Sequence, residues 1–177
     1  MKICFFTSVL NHHQYPFCSE MYKILGNNFS VVTTMELEES RKSLGYMDFA
    51  NESPFCIKMH SDKNSYWEAY RLSQEADVLI AGVIPEEFIS IRLKCNKLTY
   101  RYSERFYKQG FWRIVSPRAL GFAYRDHFRY RRKSFYLLCA SAYTATDASR
   151  IFSYPDKMFR WGYFPEFKEY EITDLLA

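Results

Sequence analysis

The chain has 177 residues, 48% hydrophobic and 19% aromatic, with a formal net charge of +4. That length and apolar content suit one domain with a real core. They exclude a repeat array, a low-complexity chain and a membrane span, since no apolar run approaches the ~20 residues a span needs.

The elements follow in order. Ile3–Phe6 is too short and apolar for a surface helix and reads as a strand buried on both faces, the centre of a parallel sheet. A polar break runs from Thr7 through Asn11, His12, His13 and Gln14. Phe17, Met21, Ile24 and Leu25 then recur at helical spacing, with Pro16 in the first turn and Gly26 as a left-handed stop. Phe29–Thr33 is a second strand. A short charged helix is expected within Glu36–Leu44, a loop over Gly45–Pro54 and a third strand over Phe55–Met59. Ser65–Glu75 reads as a helix capped by Ser65. Asp77–Ala81 is a strand, and Pro85 opens a helix to Lys94. Leu98–Tyr102 is the fifth strand. After a polar and aromatic connection, Ser116 and Pro117 open a helix expected to reach Arg132. Phe135–Cys139 is a strand, Tyr143–Ile151 a helix and Met158–Phe164 a seventh strand. The alternation predicts an α/β, three-layer Rossmann-like domain: a parallel sheet of six to seven strands with helices on both faces. In such folds ligands sit outside the carboxyl ends of the strands, so Ser8–Tyr15 is the first place to look for function.

The aromatics, 15 Tyr and 16 Phe, are expected to build the core with phenols at its rim. Five widely spaced cysteines without a C-x-x-C read as buried thiols of a reducing compartment. No charged-then-apolar leader precedes the first strand, so a cytoplasmic chain is expected. The charge is uneven. Between Arg92 and Lys133 thirteen Lys or Arg face only Glu104 and Asp126, a net +11, which leaves −7 for the remainder. One face is therefore expected to be strongly positive and to meet an anionic partner.

Phosphate-loop, dinucleotide, zinc-protease and nucleophile-elbow motifs are all absent. No D-x-D pair supports a nucleotide-sugar metal site. Four places remain. His12-His13 lies in the first loop, either as exposed histidines or as proton-handling groups at the sheet edge. Tyr100–Arg105 ends the fifth strand, with Arg101 and Ser103 on one face. There Glu104 and Arg105 form either a surface ion pair or a carboxylate beside a guanidinium, aimed at sugar hydroxyls or phosphate. The stretch Arg113–Lys133 interleaves Arg113, Arg118, Arg125, Arg129 and Arg132 with aromatics, the composition of a helix lying on an anionic membrane. Finally, Ser141, Tyr143 and Thr144 follow the sixth strand, as a tight turn or as a small-residue approach to a ligand.

Lys2–Tyr22, Glu75–Glu87, Asn96–Arg113, Tyr136–Asp147 and Arg160–Glu166 together resemble the amino-terminal half of a bacterial GT-B glycosyltransferase, family 4-like, of surface-polysaccharide synthesis. The resemblance implies an acceptor-side domain over 1–165 and an interdomain linker from 166 to 177. The nucleotide-sugar would be held mainly by a second domain. It implies no cofactor and no metal, and transfer of a glycosyl group to an acceptor hydroxyl, free or lipid-linked. Glu104 and His13 would be catalytic. Asn11, His12, Arg101, Ser103, Arg105, Ser141 and Tyr143 would bind substrate. The family's pair of glutamates with seven residues between them is missing, since no Glu has another Glu eight positions later, so a separate chain or a longer one would complete the enzyme. Two other readings stand beside it: a non-catalytic α/β module docking its basic face on an anionic membrane or nucleic acid, and a hydrolase using Glu104 or His13. No nucleic-acid recognition motif is visible, so nucleic acid is not the expected partner.

Overall fold

The computed structural model describes residues 1–108 and 110–166, without the side chains of Phe111 and Arg113. Its centre is a seven-stranded, wholly parallel sheet. The strands are β1 (Ile3–Thr7), β2 (Phe29–Thr33), β3 (Cys56–Lys58), β4 (Val78–Ala81), β5 (Thr99–Ser103), β6 (Phe135–Cys139) and β7 (Met158–Arg160), in the order β3-β2-β1-β4-β5-β6-β7. The helices are α1 (Tyr15–Leu25), α2 (Glu39–Lys42), α3 (Lys63–Glu75), α4 (Glu86–Lys94), α5 (Pro117–Asp126) and α6 (Thr144–Arg150). The α/β class, the parallel sheet and the three layers expected from the sequence are all present.

β1 is buried along its whole length because it has neighbours on both sides and layers on both faces. Its alternate residues enter two cores. Cys4 and Phe6 join Leu79, Phe88, Leu93, Phe135 and Leu137 on one face; Ile3 and Phe5 join Cys18, Phe29, Val31, Ile80 and Leu138 on the other. Aromatics dominate both, with edge-to-face pairs such as Phe5–Phe17 and Phe6–Phe88. Each fully buried Phe contributes roughly 1.5–3 kcal/mol. Burial pushes the Cys4 thiol up to about 12. Cys18 and Cys139 are buried too, but Cys95 is exposed and Cys56 only half-buried, against the expectation of five buried thiols.

Several boundaries differ from the sequence reading. Asp62, not Ser65, caps α3: its Oδ1 accepts from the amides of Asn64 and Ser65, and Ser65 donates its hydroxyl to Oδ2. The loop 45–54 contains a 3-10 turn at Phe49–Asn51, which stacks Phe49 on Tyr15. α5 stops at Asp126 rather than Arg132. His127 leaves helical geometry to bury its ring between Phe106 and Phe122, with Nδ1 2.8 Å from the Tyr154 hydroxyl. β7 ends at Arg160, after which the chain turns back across the sheet edge instead of continuing to Phe164.

The basic third is less of a surface than its composition suggests. Arg92 is fully buried. All five of its N–H groups are used, on the carbonyls of Ser73, Ala76, Asp77 and Leu98 and on the Thr99 hydroxyl. It ties the end of α3 to the starts of β4 and β5. Arg101 is also turned inward, 2.7 Å from Glu86 and over the Phe135 ring.

Candidate functional site

The strand order reverses between β1 and β4, since the chain leaves β1 toward β2 and β3 and then crosses to β4. Connections diverge there and leave a crevice at the carboxyl ends. It forms a cleft of about 670 Å³ with walls from the β1 loop (Thr7, Ser8, Asn11, His13, Gln14), the end of β4 (Gly82, Val83), the end of β5 (Tyr102, Ser103, Glu104), Arg41, Tyr46 and Tyr163.

Close strand approach shapes its floor. Gly82 donates its amide to the Phe6 carbonyl, and a Cβ on Gly82 would stand 2.6 Å from that oxygen. Only glycine keeps the two strand ends this close. The β1 loop is pinned by its own polar groups. Asn11 accepts from the His13 amide with Oδ1, and its carbonyl accepts from Gln14 and Tyr15. Thr7 donates its hydroxyl to Gln14 Oε1 at 3.0 Å.

Polar contacts continue along the wall. The Tyr102 phenol shares this wall with Gln14 and Tyr163. Tyr163 donates to Glu104 Oε1, and Lys108 donates to Glu104 Oε2. Lys108 and Tyr163 hold the Glu104 carboxyl below the ordinary glutamate value, so it is ionised at neutral pH. Burial raises the Tyr102 and Tyr163 phenols, which remain hydrogen-bond donors. His13 is held below the usual histidine value, first by loss of water and then by neighbouring His12, so its ring is neutral. Its Nδ1 is buried and makes no hydrogen bond among the described residues. The ring lies against Tyr163, and the His13 carbonyl accepts from the Phe164 amide. The returning segment 161–164 thus closes one side of the cleft.

The structure therefore brings together Asn11, His13, Ser103 and Glu104 of the residues singled out from sequence. His12 stands one layer back, exposed, its ring against His13 and Tyr46. Arg101 is not brought to the cleft, because strand alternation turns it to the opposite face and into the Glu86 contact. Arg105 does not pair with Glu104: its Nε meets Asp147 at 3.2 Å and its guanidinium lies over Tyr143. Ser141 is 2.9 Å from the Thr144 hydroxyl, at the foot of α6 and outside the cleft lining. Of the cationic face, Arg118 and Arg132 are exposed, Arg125 is clamped to Asp126, and Arg129 lies near Glu86 and over Tyr130. The Arg113 side chain and residues 167–177 of the expected linker lie outside what the structure describes.

Gln14 lies in the first loop singled out from sequence, but sequence reasoning missed Tyr102, Tyr163 and Gly82 as cleft residues. Gly82 carried a signal, a glycine directly after the clearest second strand. Tyr163 carried none, since its place depends on the chain turning back after β7. Among the described residues no three His, Cys, Asp or Glu side chains gather as a metal would require, and no helix is long and apolar enough to cross a membrane. Comparison with family models, with curated proteins and with solved structures gave no match for this chain.

Proposed function

We propose that the cleft binds a sugar-like, polyhydroxylated molecule, and that this domain is the acceptor side of a glycosyltransferase that moves a sugar from a nucleotide-sugar to an acceptor hydroxyl. The observation that carries the reading is the row of polar side chains Thr7, Gln14, Tyr102, Tyr163 and Glu104 that lines the cleft at the strand-order reversal. Hydroxyl-rich ligands need many donors and acceptors in fixed places, and the ionised Glu104 makes the stronger, charge-assisted kind. In this scheme Glu104 accepts from an acceptor hydroxyl and orients it. Neutral His13, whose side chain lines the cleft, takes the proton as the acceptor oxygen bonds to the anomeric carbon and the bond from that carbon to the diphosphate breaks. The leaving diphosphate would be stabilised by a partner domain.

Saturation-transfer NMR with a panel of mono- and oligosaccharides tests the binding claim. Saturable binding is expected, weakened at least tenfold by Glu104→Gln and by His13→Ala with melting temperature unchanged. Saccharide signals absent at millimolar ligand, or identical in both variants, would sink the proposal. Titration with UDP- and GDP-sugars adds a second arm. Tight binding by this domain alone would mean that it carries a donor site itself and would overturn the acceptor-side assignment.

A further inference from the structure

A second cavity, of about 970 Å³, lies between the segment after β5 and helix α5. It shares the 104–108 segment with the cleft but opens on the other side of it: Glu104 lines the cleft, while Arg105 and Lys108 line this cavity. Arg118 and Arg125 complete a set of four cations, with Phe106 and Phe122 as the apolar portion and no acidic side chain among the described lining residues.

Lys108 is paired with Glu104 on the cleft side, whereas the carboxylates that pair with Arg105 and Arg125 sit behind those guanidiniums. Asp147 is buried and takes only the Nε of Arg105; Asp126 is buried and takes Nε and one terminal nitrogen of Arg125. Both guanidiniums are thereby oriented and keep N–H groups for something else. Arg118 is exposed and has no ion-pair partner among the described residues. Several preoriented guanidinium donors around one space suit a phosphoryl group, which accepts bidentate hydrogen bonds from arginine. The space is too large for phosphate alone, and ligand cavities of about 300–1,000 Å³ usually enclose an apolar body as well. Beside it the chain exposes large apolar side chains: Trp112 (71%), Val115 (79%), Leu120 (51%) and Tyr124 (61%). The buried face of α5 is instead the small Ala123 with Asp126, so packing against the domain does not account for those residues.

We propose that this cavity binds the phosphoryl head of an amphiphile, a phosphate ester carrying an apolar chain, with Arg105, Arg118 and Arg125 on the phosphate and Phe106 and Phe122 against the first carbons of the chain. The inference does not depend on the sugar reading of the neighbouring cleft.

The test uses the whole chain and three probes followed by calorimetry or sedimentation: inorganic phosphate, farnesyl phosphate, and vesicles with phosphatidic acid compared with vesicles bearing an equal charge of phosphatidylserine. Farnesyl phosphate should bind saturably and at least tenfold more tightly than inorganic phosphate. Arg118→Glu should weaken it at least tenfold without lowering the melting temperature, since Arg118 is exposed and makes no hydrogen bond or ion pair among the described residues. Phe122→Ser should narrow the gap between the two soluble probes. Sedimentation with phosphatidic acid in preference to phosphatidylserine, lost in Arg118→Glu, identifies the source as a membrane lipid. Binding of farnesyl phosphate without sedimentation identifies a dispersed ester. No saturable binding of either, or affinities unmoved by Arg118→Glu, overturns the proposal.

Discussion

Arg105 and Asp147 are 42 residues apart in sequence, yet the Arg105 Nε stands 3.2 Å from the Asp147 carboxylate. The same Asp147 oxygen accepts from the Tyr107 amide. The pair therefore ties the segment that leaves β5 to α6. It also separates Glu104 from Arg105: adjacent in sequence, one serves the cleft and the other the cationic cavity.

Replacing Asp147 with Asn should loosen that segment. The side chain is almost completely enclosed, so the loss of a charge-assisted hydrogen bond costs about 2 kcal/mol. Urea unfolding should report a lower midpoint with an unchanged slope. A midpoint equal to wild type would mean that the contact contributes nothing to stability.

Gly82→Ala should destabilise the chain by about 1–3 kcal/mol, because the new methyl meets the Phe6 backbone oxygen rather than a movable side chain. The strain falls at the cleft floor, so saccharide binding should fall along with stability. Thermal melts and the NMR titration can be run on the same sample. Wild-type values in both would show that the strand ends move apart easily.

Arg92→Met keeps the volume but leaves four backbone carbonyls and one hydroxyl without their shared donor. A loss of about 3 kcal/mol or more is expected. Lysine, with three donors, should recover only part of it. Equilibrium denaturation of both variants checks the order wild type, Lys, Met. Equal stability for Met and wild type would show that the carbonyls find water.

The acid limb of stability should trace to His127. Its pKa in the folded chain lies well below 6.5, first through burial and then through the Arg101 charge. The Tyr154 hydroxyl faces its Nδ1, and Phe106 and Phe122 enclose the ring. The unfolded chain thus binds more protons than the folded one below the ordinary histidine value. Stability is fully present above about pH 6.5 and is lost as pH falls toward the folded pKa. Melting temperatures at about pH 7.5 and pH 5.5 should differ less in His127→Phe than in wild type. His13 titrates in the same sense and stays in both proteins, so the difference isolates His127. Parallel slopes would exclude the residue.

Local chemistry carried most of the architecture. Ile3–Phe6 and Asp77–Ala81 announced the two central strands because β-sheets buried on both faces need uninterrupted apolar runs, and Gly26 and Ser116 marked helix ends through backbone rules that act within a few residues. Alternation along β5 placed Tyr102 and Arg101 on opposite faces. The first loop, as the turn after the central strand, pointed to Asn11 and His13. Local patterns could not supply partners chosen by three-dimensional proximity. Nothing near Arg92 in sequence foretold burial, since its carbonyl acceptors come from the ends of three separate elements. The helix after Ser116 had the pattern to continue, but the enclosure of His127 by Phe106, Phe122 and Tyr154 ended it. Glu104 met Lys108 and Tyr163 rather than Arg105 because Asp147 was enclosed beside the guanidinium and the chain after β7 folded back over the cleft. Periodicity records which face a residue occupies, whereas long-range packing selects the charge, phenol or carbonyl that it meets there.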